Sequence, residues 1–228
     1  MYLMKKNCLI LGSQSSIGMQ IKKIFKDNNF QVFGTSRKFQ NSISKEEIFL
    51  DFFINDSLNK LSNQIPNIDS LIFCNGLLVG KQLSDYQDEE INKVFESNIL
   101  GTIKVLSRIQ GKLNNKCSVV FIGSISGSAG SYDEVYAASK SAIYALMKSL
   151  AKKSTNGVRF NCISPGLIED SAMFSQFTDL EIKNHIKQIP TKKLNLSANI
   201  AKVCFDICQE EWSQLNGQVI NVNGGRYV

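Results

Sequence analysis

Seven short apolar runs, each followed by a longer polar or amphipathic stretch, recur along this chain and narrow its fold more than any other feature. The runs cover residues 7–11, 31–35, 47–50, 70–73, 118–122, 159–163 and 218–222. Helical periodicity fills 17–27, 56–64, 89–113, 136–152 and 198–208. Short continuous apolar runs read as strands buried on both faces, and strands alternating with helices form a mainly parallel sheet. The expected fold is therefore α/β: a doubly wound parallel sheet of the Rossmann type, in three α/β/α layers. Only three prolines occur, and no linker or repeat divides the chain, so residues 1–228 are expected to form one domain.

Two stretches fit the pattern less well. About a dozen residues separate Arg37 from the end of the third run at Leu50, near the minimum for a parallel crossover, which predicts a short or irregular helix. Residues 167–196 show no clear period, and long irregular segments in α/β domains commonly serve as lids or binding loops.

Composition excludes several classes. The net charge of +6 comes from lysines and arginines scattered singly or in pairs, not from the clustered stripe of a nucleic-acid binder. No run approaches the ~18 apolar residues of a membrane span. The apolar stretch at 8–11 is too short for a signal peptide, so a cytoplasmic protein is expected. Six cysteines, at 8, 74, 117, 162, 204 and 208, have no histidine nearby to complete a metal set, and they read as reduced thiols.

The first run empties into Gly12-Ser-Gln-Ser-Ser-Ile-Gly18 and then a helix. Such a turn aims backbone N–H groups and the positive helix end at an anion. Gly12, Ser13, Ser15, Ser16, Ile17 and Gly18 are the candidate phosphate contacts. The second run ends at Thr35-Ser36-Arg37-Lys38, where this fold places an adenosine ribose. An acidic side chain there would accept bonds from the ribose hydroxyls, but none occurs between Asp27 and Glu46. Ser36 and the Arg37 fork suit a 2′-phosphate instead, which predicts NADP(H) in preference to NAD(H).

Tyr136 and Lys140 stand four residues apart and share a helix face. A free phenol titrates near ~10. A neighbouring ammonium would lower that value and suit the tyrosine to exchange a proton with a substrate oxygen. The spacing is common: Tyr2 with Lys6 and Tyr144 with Lys148 share it. Context selects Tyr136, because the run 118–122 ends in Gly123-Ser124-Ile125-Ser126-Gly127 just before it. Ser124 thus lies at a strand's carboxyl end, where open α/β sheets bind ligands and where its hydroxyl can steady an oxygen gaining charge. Tyr144 reads as a chance match, and its loss is expected to be mild. His185, the only histidine, has no nucleophile elbow beside it and is set aside.

In order and approximate spacing, these motifs resemble the short-chain dehydrogenase/reductase family over nearly the whole chain. The resemblance implies a catalytic set of Ser124, Tyr136, Lys140 and Asn98, with Lys140 also holding a nicotinamide ribose and Asn98 supporting a proton relay. It assigns Asp51 to adenine, and Asn75, Gly76, Pro165 and Gly166 to the cofactor. The substrate implied is a small carbonyl or alcohol, such as a 3-oxoacyl thioester or a sugar-type ketone, and the assembly a homodimer or homotetramer. This chain departs from the family's pattern at Leu11, Ser16, Phe73-Cys74 and Asp170. The competing reading is a catalytically silent nucleotide-binding regulator on the same fold. An intact Ser, Tyr, Lys and Asn set weighs against it, since a pure binder needs no acid–base pair.

Overall fold

A computed structural model describes residues 5–37 and 46–228. Seven strands form one sheet, parallel throughout, in the order β3-β2-β1-β4-β5-β6-β7. They are β1 (Asn7–Leu11), β2 (Gln31–Ser36), β3 (Glu47–Phe49), β4 (Ile68–Phe73), β5 (Leu113–Ile122), β6 (Arg159–Pro165) and β7 (Val219–Val222). The doubly wound Rossmann-type sheet expected from the sequence is present. The crossover helix expected after Arg37, together with Lys38 and Tyr2, lies outside the described residues.

Side chains alternate across each strand, so the sheet feeds two cores. Leu9 and Leu11 of β1 face one side. There they join Leu58 and Leu61 of α2 (Asn55–Gln64), Val105 and Ile109 of α4 (Gly101–Ile109), and Ile143 and Met147 of α6 (Glu134–Lys153). Cys8 and Ile10 face the other, against Ile21 and Phe25 of α1 (Ser16–Asp27) and Ile200 and Cys204 of α8 (Ser197–Ile207). The Phe25 ring meets Phe30 and Phe205 edge-on, with centroids 4.9 and 5.1 Å away. All six cysteines are free.

Three elements differ from expectation. The helical stretch predicted over 89–113 is α3 (Asp88–Phe95), a π-helical turn (Glu96–Leu100) and α4, closed by a 3-10 turn at Gln110–Lys112. The strand β5 already begins at Leu113. Lys116 takes a left-handed φ of 63°, and the β4–β5 register shifts between Ile68 and Ser70, so the strand enters irregularly where apolar alternation is absent. A four-residue helix, α5 (Ser126–Ala129), follows β5. The segment 167–196 is more regular than its sequence suggests, with a 3-10 turn at Phe174–Gln176 and α7 (Asp179–Gln188). A capping box starts α7: Thr178 Oγ1 accepts from Glu181 N–H at 3.3 Å, and Thr178 N–H donates to the Glu181 carboxylate at 2.7 Å. Among the described residues no helix is long and apolar enough to cross a membrane.

Candidate active site

The strands β2 and β4 flank β1; the chain runs outward from β1 through β2 to β3 and then crosses back to β4 on the other side, so a crevice opens at their carboxyl ends. Gly12 turns the chain there with a φ of 73°, a value that favours glycine. Ser15 caps α1, its hydroxyl accepting from Gly18 N–H at 3.0 Å and donating to the Gly12 carbonyl at 2.9 Å. A Cβ on Gly18 would lie 2.4 Å from that carbonyl oxygen, so only glycine lets the helix start so close to the turn. Ser16 and Ile17 open the helix, and their backbone N–H groups sit at its positive end. Ser13 departs from expectation. Only 2% exposed, its hydroxyl points inward to the Thr35 carbonyl and the Glu47 carboxylate, both at 3.2 Å, and Glu47 pairs with Lys22 at 2.7 Å. The Ser13 side chain thus braces the turn instead of lining the cleft.

A cavity of about 570 Å³ occupies the crevice. Among the anticipated cofactor contacts, Gly12, Ser15, Ser36, Arg37, Asp51, Asn75 and Gly76 line it. Phe52 and Phe53 also line it, and the sequence reading missed them. Their only signal was a pair of aromatics just past a strand end. Asp51 accepts from Phe53 N–H at 3.0 Å and so fixes the turn that presents both rings. Asn75 donates to the Ser97 carbonyl at 2.7 Å, while its Oδ1 is buried with no partner. An orphaned acceptor in a cavity wall, beside a glycine-lined cradle, fits a bound nucleotide that donates to it.

Behind Gly76, on the cavity wall, stand Lys140 and Asn98. A Cβ on Gly76 would sit 3.2 Å from Lys140 Nζ and 3.6 Å from Asn98 Oδ1. Tyr136 and Lys140 lie in the first turns of α6, both buried, with Nζ 5.8 Å from the tyrosine ring centroid. Nζ donates to the Ile122 carbonyl at 3.0 Å. The Ser124 hydroxyl accepts from Ser126 N–H at 3.2 Å and stands near enough to the Tyr136 phenol to favour its ionised form. At the end of β6, the Pro165 carbonyl accepts from Ile125 N–H at 3.1 Å, and Gly166 N–H bonds the Val222 carbonyl at 3.1 Å. The predicted set is therefore brought together around one point.

Burial dominates the titration of this group. It pushes the Tyr136 phenol up to about 12, opposed by the Ser124 hydrogen bond. It pulls Lys140 down to about 8. The sequence reading had Lys140 lowering the tyrosine, but an ammonium turned to the Ile122 carbonyl does not offset desolvation here. Asn98 sits in the π-helical turn, fully buried. Its Nδ2 donates to the Leu77 carbonyl at 3.0 Å and the Ser139 hydroxyl at 2.8 Å, and its Oδ1 accepts from Leu77 N–H at 2.6 Å. Both donors are committed, so in this geometry the side chain pins the chain after β4 to the catalytic helix.

Asp133 was not among the sequence candidates. Fully buried, it N-caps α6 by accepting from Tyr136 N–H at 2.8 Å, and it also accepts from Gly80 N–H at 2.9 Å and the Tyr86 hydroxyl at 2.8 Å. An aspartate three residues before Tyr136 was the available signal, obscured because the helix was read as starting at the tyrosine itself. Asp170, where the resembling family has threonine, accepts from Ser197 N–H at 2.7 Å and so satisfies the start of α8. The 3-10 turn before α7 reaches the loop after β4, since a Cβ on Gly80 would be 3.6 Å from Gln176 Oε1. Arg226 holds α7 from behind, bonding His185 Nδ1 and the Gln188 side chain, the latter at 2.9 Å.

Comparison with known proteins agrees with this geometry. A family model described as enoyl-(acyl carrier protein) reductase matches residues 12–226. The chain is 28% identical over 244 residues to a 3-oxoacyl-[acyl-carrier-protein] reductase of Buchnera aphidicola subsp. Schizaphis graminum, covering 100% of both chains. A crystal structure from Brucella melitensis, titled a short-chain dehydrogenase/reductase, glucose/ribitol dehydrogenase, superposes with a TM-score of 0.89 at 22% identity, covering 98% of this chain and 97% of that one. The structure of ElxO with NADP bound superposes at 0.82 with 26% identity, covering 98% and 99%.

The buried lysine gives a stability signature. Below about pH 8 Lys140 carries its charge in both the folded and unfolded chain, and its burial cost is present in full. As pH rises through that value the folded chain sheds a proton that the unfolded chain keeps, so native stability climbs until lysine's ordinary range is passed. Lys140→Met keeps the length and removes the charge. It should stabilise the fold near pH 7 by roughly 1–2 kcal/mol, the desolvation relieved less one lost hydrogen bond. Urea unfolding at about pH 7, 8.5 and 10 measures this. The advantage should shrink with rising pH, and a constant advantage would show that Lys140 is not the titrating group.

Proposed function

The chain belongs to the short-chain dehydrogenase/reductase family and is an NAD(P)-dependent oxidoreductase, and from that premise we propose that residues 1–228 act as one NADP(H)-binding domain interconverting a carbonyl and an alcohol. The observation that carries this reading is the grouping of Ser124, Tyr136 and Lys140, with the Lys140 ammonium 5.8 Å from the tyrosine ring centroid and next to Gly76 on the wall of a nucleotide-sized cleft. A bound nicotinamide supplies hydride chemistry at this point.

The protein's own residues do the rest. Ser124 donates to the substrate oxygen as it gains charge, and Tyr136 delivers the proton to it. Lys140 holds the ribose beside them. Asn98 serves as a positioning residue, tying Leu77 to Ser139 on the catalytic helix. Ser15, Ser16, Ile17 and Gly18 receive the pyrophosphate at the head of α1, and Asp51, Asn75, Gly76, Pro165 and Gly166 border the rest of the cofactor. Ser36 and Arg37, on the cavity wall, favour NADP(H) over NAD(H), in keeping with the NADP-bound relative.

A 3-oxoacyl thioester is the favoured substrate, because the full-length Buchnera relative is named for that reduction. A sugar-type ketone rests on a likeness of fold alone. Residues 174–188 act as a lid reaching from Arg226 to the loop at Gly80. Leu100 and Ile103 stand 43% and 42% exposed in or beside α4, consistent with a homodimer or homotetramer through this layer. A cytoplasmic location completes the reading.

Three measurements test it. Tyr136→Phe should bind NADPH normally while reduction of an acetoacetyl thioester falls about 10²–10⁴-fold, the usual contribution of a general acid. Unchanged turnover would remove Tyr136 from the proton step. Arg37→Ala should weaken NADPH about 10- to 100-fold by loss of a charge-assisted bond, leaving NADH nearly unaffected. Fluorescence titration of both cofactors decides this, and a wild type that binds NADH equally well would defeat the assignment. Hydrogen exchange across 174–188 should slow when cofactor and a substrate analogue bind together. Equal exchange rates in both states would count against a lid.

A further inference from the structure

Tyr144 was expected to be a bystander that shares a common spacing with Lys148. The geometry points to a different role. Two turns into α6 beyond Tyr136, Tyr144 is buried, and its phenol oxygen meets three groups. It donates to the Ser124 carbonyl, accepts from Ser124 N–H at 3.2 Å, and lies 3.0 Å from the Ser164 hydroxyl at the end of β6. One proton and two lone pairs are thereby fully used if Ser164 donates. Both backbone polar groups of Ser124 thus meet this one side chain, the N–H as a donor to it and the carbonyl as an acceptor it shares with Gly127 N–H at 2.9 Å.

The glycines around Ser124 follow from the same ring. A Cβ on Gly123 would lie 2.6 Å from it, and one on Gly127 2.9 Å. The loop from Gly123 to Gly127 therefore wraps the Tyr144 ring at a distance no larger residue allows. With its backbone held at both groups and its hydroxyl accepting from Ser126 N–H, Ser124 has little freedom in where it presents that hydroxyl.

We propose that Tyr144 is a positioning residue for proton transfer, holding the Ser124 backbone so that the Ser124 hydroxyl meets Tyr136. This rests on the reading of Ser124 and Tyr136 as the reacting pair. The Tyr144 phenol oxygen hydrogen-bonds Ser124 and Ser164 and neither Tyr136 nor Lys140, so its hold on the proton-transfer site runs through the Ser124 backbone. The Ser124 hydroxyl opposes the upward push on the Tyr136 phenol, and the Tyr144 phenol adds to that push.

The test uses the full chain with NADPH and acetoacetyl-CoA, in the variants Tyr144→Phe, Ser124→Ala, Tyr136→Phe and the Ser124→Ala/Tyr144→Phe double. Misplacement of a reacting group by about 1 Å can cost 10²-fold, so Tyr144→Phe should lower kcat roughly 10- to 100-fold. The KM for the thioester and the Kd for NADPH should stay within about threefold, since uniform binding is untouched. In the Ser124→Ala background the same change should cost less than about twofold, because coupled residues are not additive. Tyr144→His, which keeps a ring with a donor, should recover part of the rate, and it replaces Tyr144→Phe in the cycle if thermal melting shows that variant unfolded.

An unmoved kcat, or a full additive loss on top of Ser124→Ala, would overturn the positioning role. Turnover that survives both Ser124→Ala and Tyr136→Phe would overturn the reading of the reacting pair, and the proposal with it. Turnover lost in those two but intact in Tyr144→Phe would overturn only the proposal.

Discussion

A parallel sheet covered by helices on both faces leaves its strand ends as the places where a ligand can reach backbone polar groups. In this protein the carboxyl ends of β3, β2, β1, β4, β5 and β6 lie side by side, and most candidate functional residues sit within a few residues of one of them, while Asn98, Tyr136 and Lys140 come from the crossover helices. The site consequently depends on how those ends are held. The Gly12 carbonyl receives Ser15, the end of β5 is held by Tyr144 and by β6, and the loop after β4 is pinned by Asn98. Most of these holding groups are buried polar side chains with two or more partners in different elements. Such groups are costly to leave half-satisfied, which makes the arrangement rigid as well as specific.

That logic separates what was legible in the sequence from what was not. All seven strands were readable because each carries a short apolar run, a pattern local enough to see without partners, even in β3 and β7, which are only partly buried at the sheet edges. The glycine turn, Ser124, Tyr136 and Lys140 were readable because their spacing follows from strand-end and helix geometry. The helix α7 escaped because it buries no residue and so leaves no apolar stripe, although Thr178 and Glu181 carry its start signal. Asp133 and Tyr144 escaped for another reason. Their roles are defined by groups far away in sequence (Gly80 and Tyr86 for one, Ser124 and Ser164 for the other), and no local pattern marks them. Ser13 was misjudged in the same way, because its bond to Glu47 spans 34 positions.

Burial places the acid–base pair under tension. Desolvation moves Tyr136 and Lys140 in opposite directions, the phenol up and the ammonium down, so each is driven toward its neutral form. A phenol held neutral is a competent proton donor to a developing alkoxide but a poor base. In the proposed mechanism such a phenol gives its proton to the substrate oxygen in the reductive sense, and the neighbouring Ser124 hydroxyl opposes its upward shift.

On the proposed mechanism Ser124 has two tasks that compete for one hydroxyl. One is to steady the substrate oxygen, and the other is to temper the tyrosine assigned to protonate that same oxygen. Both tasks need the hydroxyl within hydrogen-bond reach of two atoms at once, and a side chain with a freely rotating backbone beneath it would meet that demand only part of the time. Clamping the backbone at both its N–H and its carbonyl removes that freedom without using the hydroxyl itself. The glycines flanking Ser124 then follow from the clamp, since only residues without a Cβ let the loop close on the ring that holds it.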